Sequence, residues 1–338
     1  MGPFIIPIFL PQMGCPYQCL YCHQERITNS PGRLLDRATF YSLVETGLSS
    51  RRKKNGQESE IAFFGGTFTN LPEEVQEQIL EWAAPYISQK KVGSLRLSTR
   101  PDALSEKKIE QLLTFGVRTI ELGVQSLDDK VLDLSDRGHT AQDAIQALTL
   151  LKKYPLTIGV QLMAGLPGEC PETFMRTIKK VIALNPDLVR IYPTLVFQNT
   201  PLAQWLTEKR YAPLSLEEAV TWCRQALELL EAAGIRVIRL GLQDHEGMRF
   251  GKGLIAGPFH PAFGSLVRGE LYLKKIIRDL IPRKPLSSLL DLHVAPQDRD
   301  HLLGNRRRNL ALLSRQIGVA DIEIKIDPRL SPGTWRMG

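Results

Sequence analysis

Several things are scarce in this sequence. There is no low-complexity tract and no internal repeat beyond an alternation of short apolar and helical stretches, which sets aside the fibrous and disordered classes. The five cysteines are too few and too unevenly placed for a disulfide framework in a chain of 338 residues. Three fall within eight positions, while Cys170 and Cys223 stand alone, a distribution that favours a metal site in a reducing compartment. The apolar start, Met1 to Leu10, has no basic lead-in, carries Pro3 and Pro7, and stops short of a bilayer span. Neither a secretory leader nor a membrane anchor is expected from it, but a buried first strand in a cytoplasmic protein. Acidic residues are also in deficit. Lys and Arg number 43 against 36 Asp and Glu, a formal charge of +7, which tolerates an anionic partner such as RNA but is common among proteins that bind none.

What is present is a globular composition, 43% hydrophobic and 23% charged. Candidate strands are Phe4–Leu10, Glu60–Phe64, Leu95–Ser98, Val117–Gly123, Leu156–Met163, Leu188–Tyr192 and Ile235–Leu240. Amphipathic stretches lie between them at Glu73–Ile87, Glu106–Phe115, Ala141–Lys153, Pro171–Leu184 and Leu216–Ala233. Pro72 ahead of Glu73-Glu74, Ser105 and Ser215 read as helix starts, and Gly116 and Gly234 as helix ends. Such alternation predicts an α/β fold with a parallel sheet, because parallel neighbours need a crossover. Periodicity leaves open a doubly wound sheet and a partial or complete (β/α) barrel; in each, ligands belong at the carboxyl ends of the strands. The pattern fades after about Asp244. The chain is therefore read as a core over 1–245 and a small C-terminal extension over 246–338, with a Gly/Pro-rich stretch from Gly251 to Gly264, a helix at Glu270–Leu280, a linker at Ile281–Pro285, basic residues at Arg306-Arg307-Arg308 and a last strand at Ile322–Ile326.

The first strand runs into Gly14-Cys-Pro-Tyr-Gln-Cys-Leu-Tyr-Cys-His23. Spacings of three and two residues let one tight loop place Cys15, Cys19 and Cys22 around one corner of an iron–sulfur cubane, leaving the fourth iron open to a chelating molecule. On the residues alone other readings stay open: haem c attachment at Cys19–His23, a Cys3His zinc site with His23, or a purely structural cluster.

The spacing Cys-x3-Cys-x2-Cys, with Tyr21 just before the third cysteine, resembles the signature of the radical S-adenosylmethionine (SAM) superfamily. The resemblance implies a partial or complete barrel of the radical SAM type, a 4Fe–4S cluster held by the three cysteines, and SAM chelated at the open iron and cleaved to a 5′-deoxyadenosyl radical. It places Tyr21 beside the adenine and leaves His23 outside the ligand set. The later strand ends then read as cofactor contacts. Gly65-Gly66-Thr67 resembles the glycine pair that binds the methionyl amino group. Thr99 closes the third strand, Gln125 and Ser126 the fourth, the fifth gives Gln161, and Arg137 is suited to pair with the SAM carboxylate. The phrases GGTFT, STRPD, ELGVQS, DRGHT, IYPTLV and NTPL make 65–241 similar to the radical SAM core of the Elongator catalytic subunit and its stand-alone relatives, and more distantly to oxygen-independent coproporphyrinogen oxidases. Two departures stand out: Elongator's core is followed by an acetyltransferase domain, and its first two cluster cysteines lie much farther apart.

The resulting expectation is a radical SAM enzyme acting on RNA, including tRNA, with a flavodoxin or ferredoxin as its reductant. The alternatives are a radical SAM enzyme acting on a small molecule such as a tetrapyrrole, and a non-catalytic metal-binding interaction module. Tyr192, Arg190, Gln198 and His139 are the candidates for the substrate's surroundings, and Gly257–Pro261 is either a cap over the sheet or an ordinary turn.

Overall fold

A computed structural model of the chain describes residues 2–28, 35–50, 58–281, 289–304 and 307–338. The basic positions Arg283, Lys284 and Arg306, and the expected linker beyond Ile281, lie outside the described residues. The strands are β1 (Phe4–Leu10), β2 (Ser59–Gly65), β3 (Ser94–Thr99), β4 (Val117–Gln125), β5 (Thr157–Ala164), β6 (Leu188–Pro193), the short β7 (Val196–Phe197) and β8 (Arg236–Leu240), then β9 (Leu254–Ala256), β10 (Leu289–Val294), β11 (Asp321–Ile326) and β12 (Trp335–Met337). The helices are α1 (Gln24–Thr28), α2 (Arg37–Ser50), α3 (Glu73–Ser88), α4 (Glu106–Thr114), α5 (Asp129–Leu134), α6 (Ala141–Leu151), α7 (Pro171–Leu184), α8 (Pro201–Thr207), α9 (Leu216–Ala232), α10 (Phe263–Leu280), α11 (Arg299–Leu303) and α12 (Arg308–Ile317).

Seven strands form one sheet in the order β1-β2-β3-β4-β5-β6-β8, every pair parallel. Both edge strands contribute residues to a single cavity, so the sheet curls into a half-barrel, the partial form of the expected barrel. Each strand shows one face to the helices and one to the cavity. On β1, Ile6, Ile8 and Leu10 are buried under the helical layer while Ile5, Pro7 and Phe9 line the cavity. Two of the helix starts read from sequence, Ser105 and Ser215, carry side-chain caps, while α3 begins after Pro72 without one. Ser105 accepts from the Lys108 N–H, and Thr140 with Asp143 and Ser215 with Glu218 form reciprocal capping boxes. Gly116 and Gly234 take the positive φ that lets the chain leave a helix.

The largely aliphatic core beneath β1 to β8 is continuous up to Leu271 on α10. A second apolar cluster, including Leu273, Ile276, Leu290, Leu292 and Leu313, sits between the C-terminal half of α10 and a small sheet ordered β11-β10-β12. β10 is not evident in the sequence reading; it pairs parallel with β11 and antiparallel with β12. Among the described residues, no helix is long and apolar enough to cross a membrane.

Candidate active site

The three-cysteine loop lies over the carboxyl end of β2. The two segments interlock through backbone. The Thr67 N–H donates to Met13 O at 2.8 Å, and a Cβ on Gly66 would collide with that same carbonyl. Gly14, at φ +71°, packs so closely on Thr67 O that no side chain fits there either. This close approach explains the paired glycines of the turn: Gly65 at φ +107° and Gly66 let the loop settle onto the strand end. Cys15 Sγ is 3.3 Å from Thr67 Oγ1, and Arg137 Nη1 donates to Cys19 Sγ at 3.4 Å. Tyr17 of the same loop packs on Gly138, with the Arg100 guanidinium 5.1 Å from its ring centre.

The thiols look into a cavity of about 1260 Å³ that runs down the concave face of the sheet. Cys15, Cys19 and Cys22 line it together with Tyr21, Gly65, Gly66, Thr67, Thr99, Gln125, Arg137 and Gln161. Gln161 Nε2 donates to Gln125 Oε1 at 3.4 Å across neighbouring strands, and Thr99 shares a 2.6 Å hydrogen bond with Thr69. Ser126 stands apart. Strand alternation turns Thr119, Glu121, Gly123 and Gln125 toward the cavity, so Ser126 faces away and bonds Thr177 and the Asp128 N–H instead. Of the candidates for the substrate's surroundings, Arg190 and Tyr192 line the cavity. Gln198 is exposed and pairs through its backbone with Gly253. His139 is buried behind Arg137 against Val124 O, and burial, then Arg137 and Arg100, lower its pKa to about 3. The Gly257–Pro261 segment packs on β7: Gly257 abuts Thr194 O, and Phe259 joins Leu195 and Phe197.

The electrostatics suit a bound cation cluster. Burial, and then the neighbouring Cys19 and Cys15, push the Cys22 thiol up to about 12. Such a thiol gives up its proton readily only when a metal takes the proton's place. Burial also raises the Tyr21 phenol, with Cys19 adding to it. The Tyr21 hydroxyl and Arg137 Nε are both buried without a partner among the described residues. Unsatisfied buried polar atoms are costly, and both residues line the cavity beside the cysteines. Among the described residues no three His, Cys, Asp or Glu side chains converge on a single-ion site; thiolates that each bind a different iron of a cubane have no need to converge.

Below the loop the cavity wall carries an ion network that the sequence reading missed. Arg96 bridges Glu60 at 2.7 Å and Glu121 at 2.8 Å, and Arg190 also pairs with Glu121 while lying 5.1 Å from the Phe64 ring centre. Its signal was present: a single charge stands at an inward position in each apolar strand, in SEIAFFG, SLRLST and VRTIELGVQ.

Comparison with known proteins agrees with this geometry. The Radical SAM superfamily pattern matches residues 9–181, just over half of the chain, and a Radical SAM C-terminal domain matches 186–273. A tRNA uridine(34) acetyltransferase of Dehalococcoides mccartyi is 28% identical over 62% of this chain and 52% of its own length. Mouse Elongator complex protein 3 is 28% identical over 51% of this chain and 35% of its own. The chain thus spans about half the length, or less, of these curated relatives. The solved archaeal Elp3 of Methanocaldococcus infernus superposes with a TM-score of 0.62 at 25% identity, over 82% of this chain and 64% of that one. The radical SAM family uses a 4Fe–4S cluster and SAM, the two groups for which the loop and strand ends have suitable donors. A pattern that begins on the first strand, takes in the cysteine loop and ends on the helix after β5 shows that this chain belongs to the radical SAM superfamily.

Proposed function

We propose that this radical SAM enzyme modifies RNA, with tRNA as the first candidate. The observation that carries the reading is the cavity wall beyond the cofactor end. There Arg96 and Arg190 are paired with Glu60 and Glu121, while Arg236 and Arg239 have no acidic partner among the described residues, a positive excess suited to a polyanion. The naming of several relatives as tRNA uridine(34) acetyltransferases supports the same substrate class.

Cys15, Cys19 and Cys22 would hold the cluster. Bound together, cluster and SAM supply a one-electron cleavage that yields a 5′-deoxyadenosyl radical. The chain's own contribution is positioning and exclusion of water. Arg137, anchored on Gly123 O at 2.5 Å, lines the cavity, where its guanidinium would pair with a carboxylate. The Gly65-Gly66 turn exposes backbone groups for an amino group, and Tyr21 forms an apolar wall with a free hydroxyl. Thr99, Gln125 and Gln161 offer side-chain donors and acceptors for a ribose or purine. A flavodoxin or ferredoxin would deliver the electron, in the cytoplasm. We also propose that 1–245 carries the chemistry and 246–338 supports it; the apolar cluster around β10 supports a distinct C-terminal unit, and its start within α10 leaves 246–271 packed on the half-barrel.

Anaerobically reconstituted protein should hold about four irons per chain and release 5′-deoxyadenosine from SAM with dithionite; tightly held zinc without iron refutes the cofactor reading. Comparison of modified nucleosides from cells with and without the protein tests the substrate. A changed metabolite with unchanged nucleosides would favour a small-molecule substrate instead.

A further inference from the structure

Among the described residues the half-barrel has two unpaired borders, β1 and β8, and their chemistry differs. On β1 the Phe4 N–H points to β2, donating to Glu58 O. Alternation therefore sends the backbone of Pro3, Ile5, Pro7 and Phe9 to the free edge. Two prolines there leave few donors for another strand, and the inward side chains on this border are apolar. Across the opening, the inner side of β8 presents Arg236, Ile238 and Arg239. Arg236 is exposed and has no hydrogen bond or ion pair among the described residues. Arg239 uses only its Nε, on Gly241 O at 2.9 Å, leaving both Nη groups free among those residues. From outside, Arg268 on α10 donates to Val237 O on the free edge of β8 at 3.0 Å and pairs with Glu231 at 3.2 Å.

β8 is also a wall shared by two hollows. The large cavity and an outer pocket of about 270 Å³ have Ile238, Arg239 and Leu242 in common, and Arg268 lines the outer one. A thin strand edge therefore separates the exterior from the radical-generating chamber, with basic groups on both sides. Opposite it, Phe9 and Phe64 lie with ring centres 6.4 Å apart. Free guanidinium groups on one border and flat apolar side chains on the other match a molecule that is charged along a backbone and aromatic in its appendages.

Resting on the RNA reading above, we propose that β8 is the sill over which a single RNA strand enters. Its phosphates lie on Arg268, Arg239 and Arg236, and one nucleotide turns inward through the β1–β8 opening to set its base against Pro7, Phe9 and Phe64. Phosphate contact on the rim with a base taken out of its stack is the division of labour expected when chemistry is done on a base inside a pocket. A neutral or compact substrate has no use for three arginines in line from exterior to chamber.

The test is fluorescence anisotropy with fluorescein-labelled total tRNA, titrated at several salt concentrations. The variants are R236E/R239E, R236K/R239K and R268Q, and iron content after reconstitution reports whether each keeps its fold. The acidic pair should weaken binding by about tenfold or more and lower the log–log salt slope by about two, R268Q by about one, while the lysine pair stays near wild type. If wild type binds tRNA and both R236E/R239E and R268Q leave affinity and slope unchanged, the sill is wrong and the RNA reading survives. If wild type does not bind tRNA, the RNA reading falls and the sill falls with it. Should the acidic pair lose its iron, R268Q, which lies outside the sheet, decides.

Discussion

At the scale of single residues, the cofactor end tolerates little change. Cys19→Ala should abolish dithionite-driven release of 5′-deoxyadenosine, and release at the wild-type level would refute Cys19 as a ligand. Gly66→Ala forces a Cβ onto Met13 O, so the cysteine loop must lift from β2. We expect reconstituted iron to fall sharply and thermal stability to drop by several kcal/mol, on the order of other overpacking changes; an alanine variant with full iron would contradict the interlock. Glu169 behaves differently. Its Oε2 accepts from the Gly165 and Leu166 N–H groups, its Oε1 is buried without a partner among the described residues, and burial raises its pKa to about 8. The folded pKa lies above the unfolded value near 4.5, so the stabilising contribution is complete below that value and is lost as pH rises toward 8. The slope is at most about 1.4 kcal/mol per pH unit. Glu169→Gln should flatten the fall in urea midpoint between pH 5 and 8, and an unchanged slope would assign the pH dependence elsewhere.

At the scale of elements, the ion network ties three neighbouring strands, β2 to β4, to β6 across β5. Glu60 on β2, Arg96 on β3, Glu121 on β4 and Arg190 on β6 are all turned inward. Arg96→Met would leave two carboxylates facing each other without their bridge, costing about 3–5 kcal/mol; a urea midpoint within error of wild type would show that water replaces the bridge. The strands that carry these residues were legible in the sequence to within a residue or two, because each is a short apolar run closed by turn residues. β4 is the exception: it runs on to Gln125, held at φ +67° beside a register shift, a distortion that periodicity does not signal. The candidate site was legible where residues are compressed into a motif, and the cysteines, the glycine pair and Arg137 do line one cavity. The placement of Ser126 needed strand parity, and the network needed the strand order and register, with Arg190 reaching Glu121 across the small Gly159 of β5. α2, α5 and β10 escaped notice because their apolar residues follow neither period for long.

At the scale of the whole molecule, α10 belongs to two cores. Phe263, Val267 and Leu271 pack on the half-barrel, and Leu273, Ile276 and Leu280 on the small C-terminal sheet. Ile276→Ala should cost about 2–5 kcal/mol locally. Hydrogen exchange should quicken in β10 and β11 while β2 to β5 stay protected; uniform loss of protection would mean that the two cores unfold as one.

The order of strands in the sheet is their order along the chain. This bears on how the protein is made. No pair in the large sheet is a hairpin, and each new strand can dock only after its crossover helix has been synthesised. As the chain leaves the ribosome, every strand after the first meets a sheet whose growing edge is its own predecessor. The other edge bears Pro3 and Pro7, poor templates for a late-arriving strand. Vectorial synthesis and a one-sided template together favour a single order of addition, and the chamber takes its full shape only when β8, its last wall, arrives.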